Sequence, residues 1–202
     1  MRRSALAPIL ALGLVLIQVL PAQTAPDAGA RQDALLLYRQ GRDLDAANKI
    51  PEAQAKYTQS IAICDQELAS DPRRIEAYVV KCWSLFRLNR YQDVVSVGQA
   101  AMKIQFDPRI SEILGESYFF LGQNAEALRA FQKFFENASE GADRIPTAYF
   151  YVGEVYFRQK RFSHADIAYS TAVKGEPSMP RWWYRLGLTC ENLGEWKRAY
   201  DA

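Results

Sequence analysis

A chain of 202 residues, 49% hydrophobic and 24% charged, has an ordinary globular composition and enough length for one sizeable domain, which excludes bulk disorder. A formal net charge of +2 offers no basic surface for nucleic acid. Cys64, Cys82 and Cys190 lie far apart with no C-x-x-C spacing, which excludes a disulfide-scaffolded fold and leaves them readable as small buried apolar residues.

Residues 1–25 have the layout of a secretory signal peptide: Arg2 and Arg3, then an uncharged apolar run from Ile9 to Leu20, then the small-residue tract PAQTAPDAGA. The run is shorter than the roughly 20 residues that a spanning helix needs, so an uncleaved membrane anchor is the weaker reading. Cleavage is expected within Ala22 to Ala25, although Gln23 stands where a small residue suits a cut after Ala25. Residues 26–33 then form a short linker. No cysteine near the cut could accept a lipid. Loss of Arg2 and Arg3 leaves 23 basic against 23 acidic residues, so the mature chain carries no formal net charge. The expected location is outside the cytoplasm, most simply the periplasm.

From residue 34 onward the chain repeats. A first unit opens at Ala34, with Leu37, Gly41, Leu44, Ala53 and Tyr57 at its apolar positions; a second at Ile75 carries Tyr78, Cys82, Leu85, Tyr91, Val94 and Ala101. The third begins at Pro108 and has Leu114, Gly115, Tyr118, Ala127 and Phe131. The fourth begins at Pro146. Shifting it by 34 residues onto the fifth, at Pro180, superposes Tyr149 on Trp183, Gly153 on Gly187, Phe162 on Trp196 and Ala165 on Ala199.

Apolar residues three and four apart within each unit define one face of a helix, and a break between two such runs lets them fold back on each other. Antiparallel helices approach closely only where side chains are small. Gly41, Cys82, Gly115, Gly153 and Gly187 meet that need on the first helices, opposite Ala53, Val94, Ala127, Ala165 and Ala199 on the second. Pro108, Pro146 and Pro180 suit the first helical position, Asp107 is an N-cap, and Gly122 and Gly194 mark turns. A helix pair this thin leaves an apolar face uncovered, so each unit needs a neighbour.

The unit from Pro146, with its aromatic, Val-Gly, aromatic, Ala, aromatic, Ala order and Pro177 at its close, resembles a tetratricopeptide repeat, and the likeness extends over residues 34–202. The resemblance implies an all-α, right-handed superhelical solenoid of antiparallel helix pairs, about four and a half repeats long. Departures from the family pattern are a first unit of 41 residues, extended through AICDQELASDP, and a third of 38, with ASEGADR inserted. Gly98 stands for an expected aromatic, Lys81 for Leu and Phe134 for Ala, which predicts a looser helix path there. The extended second helix carries Cys64 towards Cys82, the basis for a disulfide between those two.

By the same resemblance the first helices line a concave groove. The residues expected to bind a partner there are Tyr38, Arg42, Trp83, Phe86, Arg87, Glu116, Phe119, Phe120, Phe150, Tyr151, Phe157, Arg158, Tyr184 and Arg185, with Trp83, Phe86, Phe119 and Phe120 foremost. Aromatics with arginines at intervals suit a peptide or helix bearing apolar anchors and acidic groups. Aromatic side chains at such positions also pack adjacent first helices together, so part of this set is expected to be structural. Tyr38 and Arg42 stand where some family members place the Lys and Asn that clamp a terminal carboxylate, which disfavours binding of chaperone tails.

No constellation for catalysis is found. His164 is the single histidine, so neither a histidine triad nor a histidine metal cluster has a second member. Phosphate-loop and G-x-S-x-G patterns are missing. Glu112 and Glu116, one helical turn apart, read as solvated charge. No cofactor is expected. Two functions remain: a non-catalytic scaffold holding a protein or peptide partner in an envelope complex, or an accessory subunit that holds a small hydrophobic molecule for an envelope transporter. The last unit has only the opening of its second helix, EWKRAYDA, from which a longer parent protein or self-association through that end is expected.

Overall fold

The computed structural model describes residues 33–139 and 141–201; the signal-peptide reading of residues 1–25 lies outside the described residues. Among the described residues there are ten helices and no strand. They run α1 (Ala34–Ala46), α2 (Ile50–Ser70), α3 (Ile75–Arg87), α4 (Tyr91–Ile104), α5 (Pro108–Phe120), α6 (Asn124–Asn137), α7 (Ile145–Arg158), α8 (Phe162–Gly175), α9 (Pro180–Leu193) and α10 (Trp196–Asp201). None of these helices is long and apolar enough to cross a membrane.

Local chemistry sets the helix ends. Asp33 and Asp107 accept hydrogen bonds from the backbone N–H of Leu35 (2.9 Å) and Arg109 (2.8 Å), satisfying donors that the first turn leaves without partners. Proline occupies the first or second position of α2, α5, α7 and α9, where no N–H is needed. Gly194 ends α9 in the left-handed region at φ 77°, open to glycine at little cost.

Each helix packs on its neighbours in sequence, and α1, α3, α5 and α7 also lie side by side, forming one wall of an all-helical solenoid. Pairing depends on ring-into-glycine contacts. Tyr57, Phe131 and Tyr169, all at most 1% exposed, lie over Gly41, Gly115 and Gly153, where a methyl group would come within 2.5–2.7 Å of a ring carbon. Gly98 breaks the series: its notch is filled by the next unit, with Leu114 Cδ2 2.9 Å from where a methyl would sit. Phe134 is accommodated by burial among Phe119, Ala127, Ala148 and Val155.

Cys64 and Cys82 are free, fully buried thiols, so the structure contradicts the disulfide predicted between them. They belong to different apolar clusters: Cys64 sits among Ala34, Ala77 and Val80, whereas Cys82 packs with Ile61, Leu85, Val94 and Ile113. Burial pushes both thiols up to about 12, which keeps them protonated and unreactive.

A candidate peptide groove

The wall made by α1, α3, α5 and α7 borders a cavity of about 970 Å³, lined on another side by Ala138, Ser139, Ala142, Asp143 and Arg144. Tyr38 on α1 and Trp83 on α3 both line it and stack on each other with ring centroids 5.4 Å apart. Both belong to first helices, which α1–α3 packing brings together one unit apart. Phe86, Arg42 and Arg87 extend this end of the cavity, and Tyr151 lies at the α7 end.

Seven of the fourteen groove residues named from the sequence therefore border the cavity: Tyr38, Arg42, Trp83, Phe86, Arg87, Tyr151 and, at its floor, Glu116. The others do not. Phe119 is 4% exposed, packed against Tyr151 and capped by Arg158, whose guanidinium lies 3.7 Å from the ring centroid and donates to the Phe119 carbonyl. Phe150 is likewise 4% exposed, stacked on Trp182 of the following unit at 5.3 Å. Phe157 lies beneath Arg185, 4.0 Å away, and Arg185 is itself paired with Glu154. Phe120 is partly exposed but stacks on Tyr91 at 4.7 Å outside the cavity, and Tyr184 is exposed away from it. Phe119, Phe120, Phe150, Phe157, Arg158 and Arg185 couple one unit to the next rather than lining the cavity.

Glu112 and Glu116 correct the expectation of solvated charge, being 3% and 2% exposed. Arg144 Nη2 donates to Glu112 at 2.7 Å and also to Glu116. Burial and the adjoining Glu112 carboxylate hold the Glu116 carboxyl well above the usual range, and Arg144 offsets this only in part. One guanidinium thus faces two carboxyls in a poorly solvated place. Arg144 was not among the groove residues found in the sequence. Its signal was there: two glutamates one turn apart on a core-facing helix need a cation, and the ASEGADR insertion ends in one. Asp107 is the other buried carboxylate at the cavity; burial works to raise it, but hydrogen bonds from the Arg109 guanidinium and backbone hold it below its ordinary value.

A second cavity of about 470 Å³ opens between α8, α9 and the short α10, and Trp196 and Tyr200 of α10 are exposed. Among the described residues, no group of three or more His, Cys, Asp or Glu side chains could hold a metal ion.

Comparison with known proteins agrees with the repeat geometry. Residues 114–165 match the family model described as tetratricopeptide repeat. Among curated proteins, cilia- and flagella-associated protein 70 of Homo sapiens is 30% identical over 107 residues, which amount to 52% of this chain but only 9% of that protein. Among solved structures, MamA from Desulfovibrio magneticus RS-1 superposes with a TM-score of 0.64 at 17% identity, covering 83% of this chain and 89% of its own. YrrB, described as a TPR protein with an unusual peptide-binding site, gives a TM-score of 0.55 at 18% identity over 84% of this chain and 82% of its own. Residues 114–165 thus match the tetratricopeptide-repeat model, and the chain around them has the all-helical solenoid fold of those structures.

Proposed function

We propose that the protein is a non-catalytic interaction scaffold that holds a peptide or helix of a partner in the cavity bounded by α1, α3, α5 and α7. The observation that carries this reading is the Tyr38–Trp83 stack facing an open volume of about 970 Å³. Rigid aromatic surface of this kind gives contact area at low entropic cost. The peptide-binding site named for YrrB supports the reading by analogy of fold. Charged side chains make up nearly half of the cavity lining, which disfavours the alternative of a small hydrophobic ligand held for a transporter.

The location belongs to the same proposal. The basic-apolar-small pattern of residues 1–25 supports export, most simply to the periplasm of a bacterium, with a partner in an envelope complex. Mass measurement of the protein recovered from such a compartment is expected to show loss of the first 22 to 25 residues; an intact amino terminus there would refute cleavage.

Photocrosslinking tests the groove. A crosslinking residue at Leu35, which lines the cavity, should give a partner adduct that Trp83→Ala abolishes, whereas one at Lys133, exposed on α6, should give none. Equal adducts at the two positions, or adducts indifferent to Trp83→Ala, would remove the assignment.

A further inference from the structure

The arginines of the inner wall fall into two groups. Arg109 binds Glu76 and Asp107, Arg144 binds Glu112 and Glu116, Arg158 caps Phe119, and Arg185 pairs with Glu154. Arg39, Arg42 and Arg87 are different: among the described residues none has a carboxylate within ion-pair distance, and all three border the cavity beside Tyr38 and Trp83. Among the described residues, the protein's own acids thus pair with the arginines of the α5–α7 end and leave the three at the α1–α3 end outside any ion pair.

We infer that this end is an acidic-peptide subsite, in which Arg39, Arg42 and Arg87 hold side-chain carboxylates of a bound segment while an apolar residue of that segment packs on the Tyr38–Trp83 stack. The inference rests on the peptide-groove reading and adds the chemical class of its occupant. Guanidinium groups present paired N–H donors matched to carboxylate geometry, and three of them beside an apolar shelf select acid flanking an anchor. Carboxylates on side chains suffice, because the arginines sit on two adjacent helices, α1 and α3, and all three border the cavity.

The test uses the full chain and a fluorescently labelled, C-terminally amidated twelve-residue peptide with Asp and Glu around one Leu-Trp pair, read by anisotropy. Its counterpart carries Asn and Gln at the acidic positions. The acidic peptide should bind, the neutral one should bind at least tenfold more weakly, and added salt should weaken the acidic complex. Arg42→Gln and Arg87→Gln should each weaken it by about tenfold, as expected for a charge-assisted hydrogen-bonded pair. Arg181→Gln, an exposed arginine outside the cavity, should leave binding unchanged. Circular dichroism of each variant should match the parent, since these arginines are exposed.

Equal binding of the neutral peptide, abolished by Trp83→Ala, would overturn the anion assignment and leave the groove reading standing. No binding of the acidic peptide at low salt would also overturn it. Binding that needs a free C-terminal carboxylate would replace side-chain recognition with end recognition and refute the inference as stated.

Discussion

Gly115→Ala probes the contact that joins a helix pair. The new methyl would lie 2.7, 2.7 and 2.8 Å from Cδ1, Cε1 and Cζ of Phe131, whereas carbon atoms rest at about 3.5–4.0 Å. The ring would have to retreat by roughly 0.8 Å, judged against that contact distance. It has nowhere to go: Phe131 is fully buried, clustered with Ala127, Phe134 and Val155, and the Tyr151 ring lies parallel to it. Overpacking of this kind costs about 1–3 kcal/mol, and alanine's better helix propensity returns up to about 1 kcal/mol. A net loss of about 1–2 kcal/mol should lower the thermal midpoint by about 3–6 °C in a protein of this size. Urea unfolding followed by circular dichroism measures it. Adding Phe131→Leu supplies room, so the double variant should be more stable than the sum of its parts by about 1 kcal/mol. A Gly115→Ala protein as stable as the parent, or strict additivity with Phe131→Leu, would refute ring-into-glycine packing as the basis of pairing.

The buried Glu116 carboxyl makes stability depend on pH. Its folded value is raised above the unfolded one, so its contribution is full below the ordinary glutamate range and is lost as pH rises through the folded value; Glu116→Gln should flatten that decline in urea midpoints measured from acid to neutral pH. Removing the shared cation by Arg144→Gln should cost about 2 kcal/mol at neutral pH, because two buried carboxyls lose their charged donor. Cys64 and Cys82 should resist a thiol reagent in the native protein and react on unfolding; rapid native labelling would contradict their burial. Gly194→Ala, with open space around the added methyl but φ at 77°, should cost about 1 kcal/mol from backbone strain alone, and a neutral result would show that the turn relaxes.

The helix pairs were legible because their signals are local. Three- and four-residue apolar spacing and prolines at helix starts act within one unit; spacing set Gly153 opposite Ala165, whereas the structure lays the Tyr169 ring over that glycine. The stacking of pairs followed from the same facts, since a thin hairpin must cover its apolar face with a neighbour.

Which groove positions remain open was decided by tertiary structure. Phe119 and Phe150 occupy first-helix positions like those of the cavity residues, yet Arg158 covers one and Trp182 covers the other, 39 and 32 residues further along. Arg144 reaches Glu112 and Glu116 only because the inserted loop turns back onto α5. Gly98 is filled from the next unit by Leu114, a neighbour that no single repeat contains. Exposure, ion pairing and thiol separation depend on which side chains of adjoining units arrive at the same place. Periodicity within a unit determines the helices and their pairing but carries no information about those arrivals.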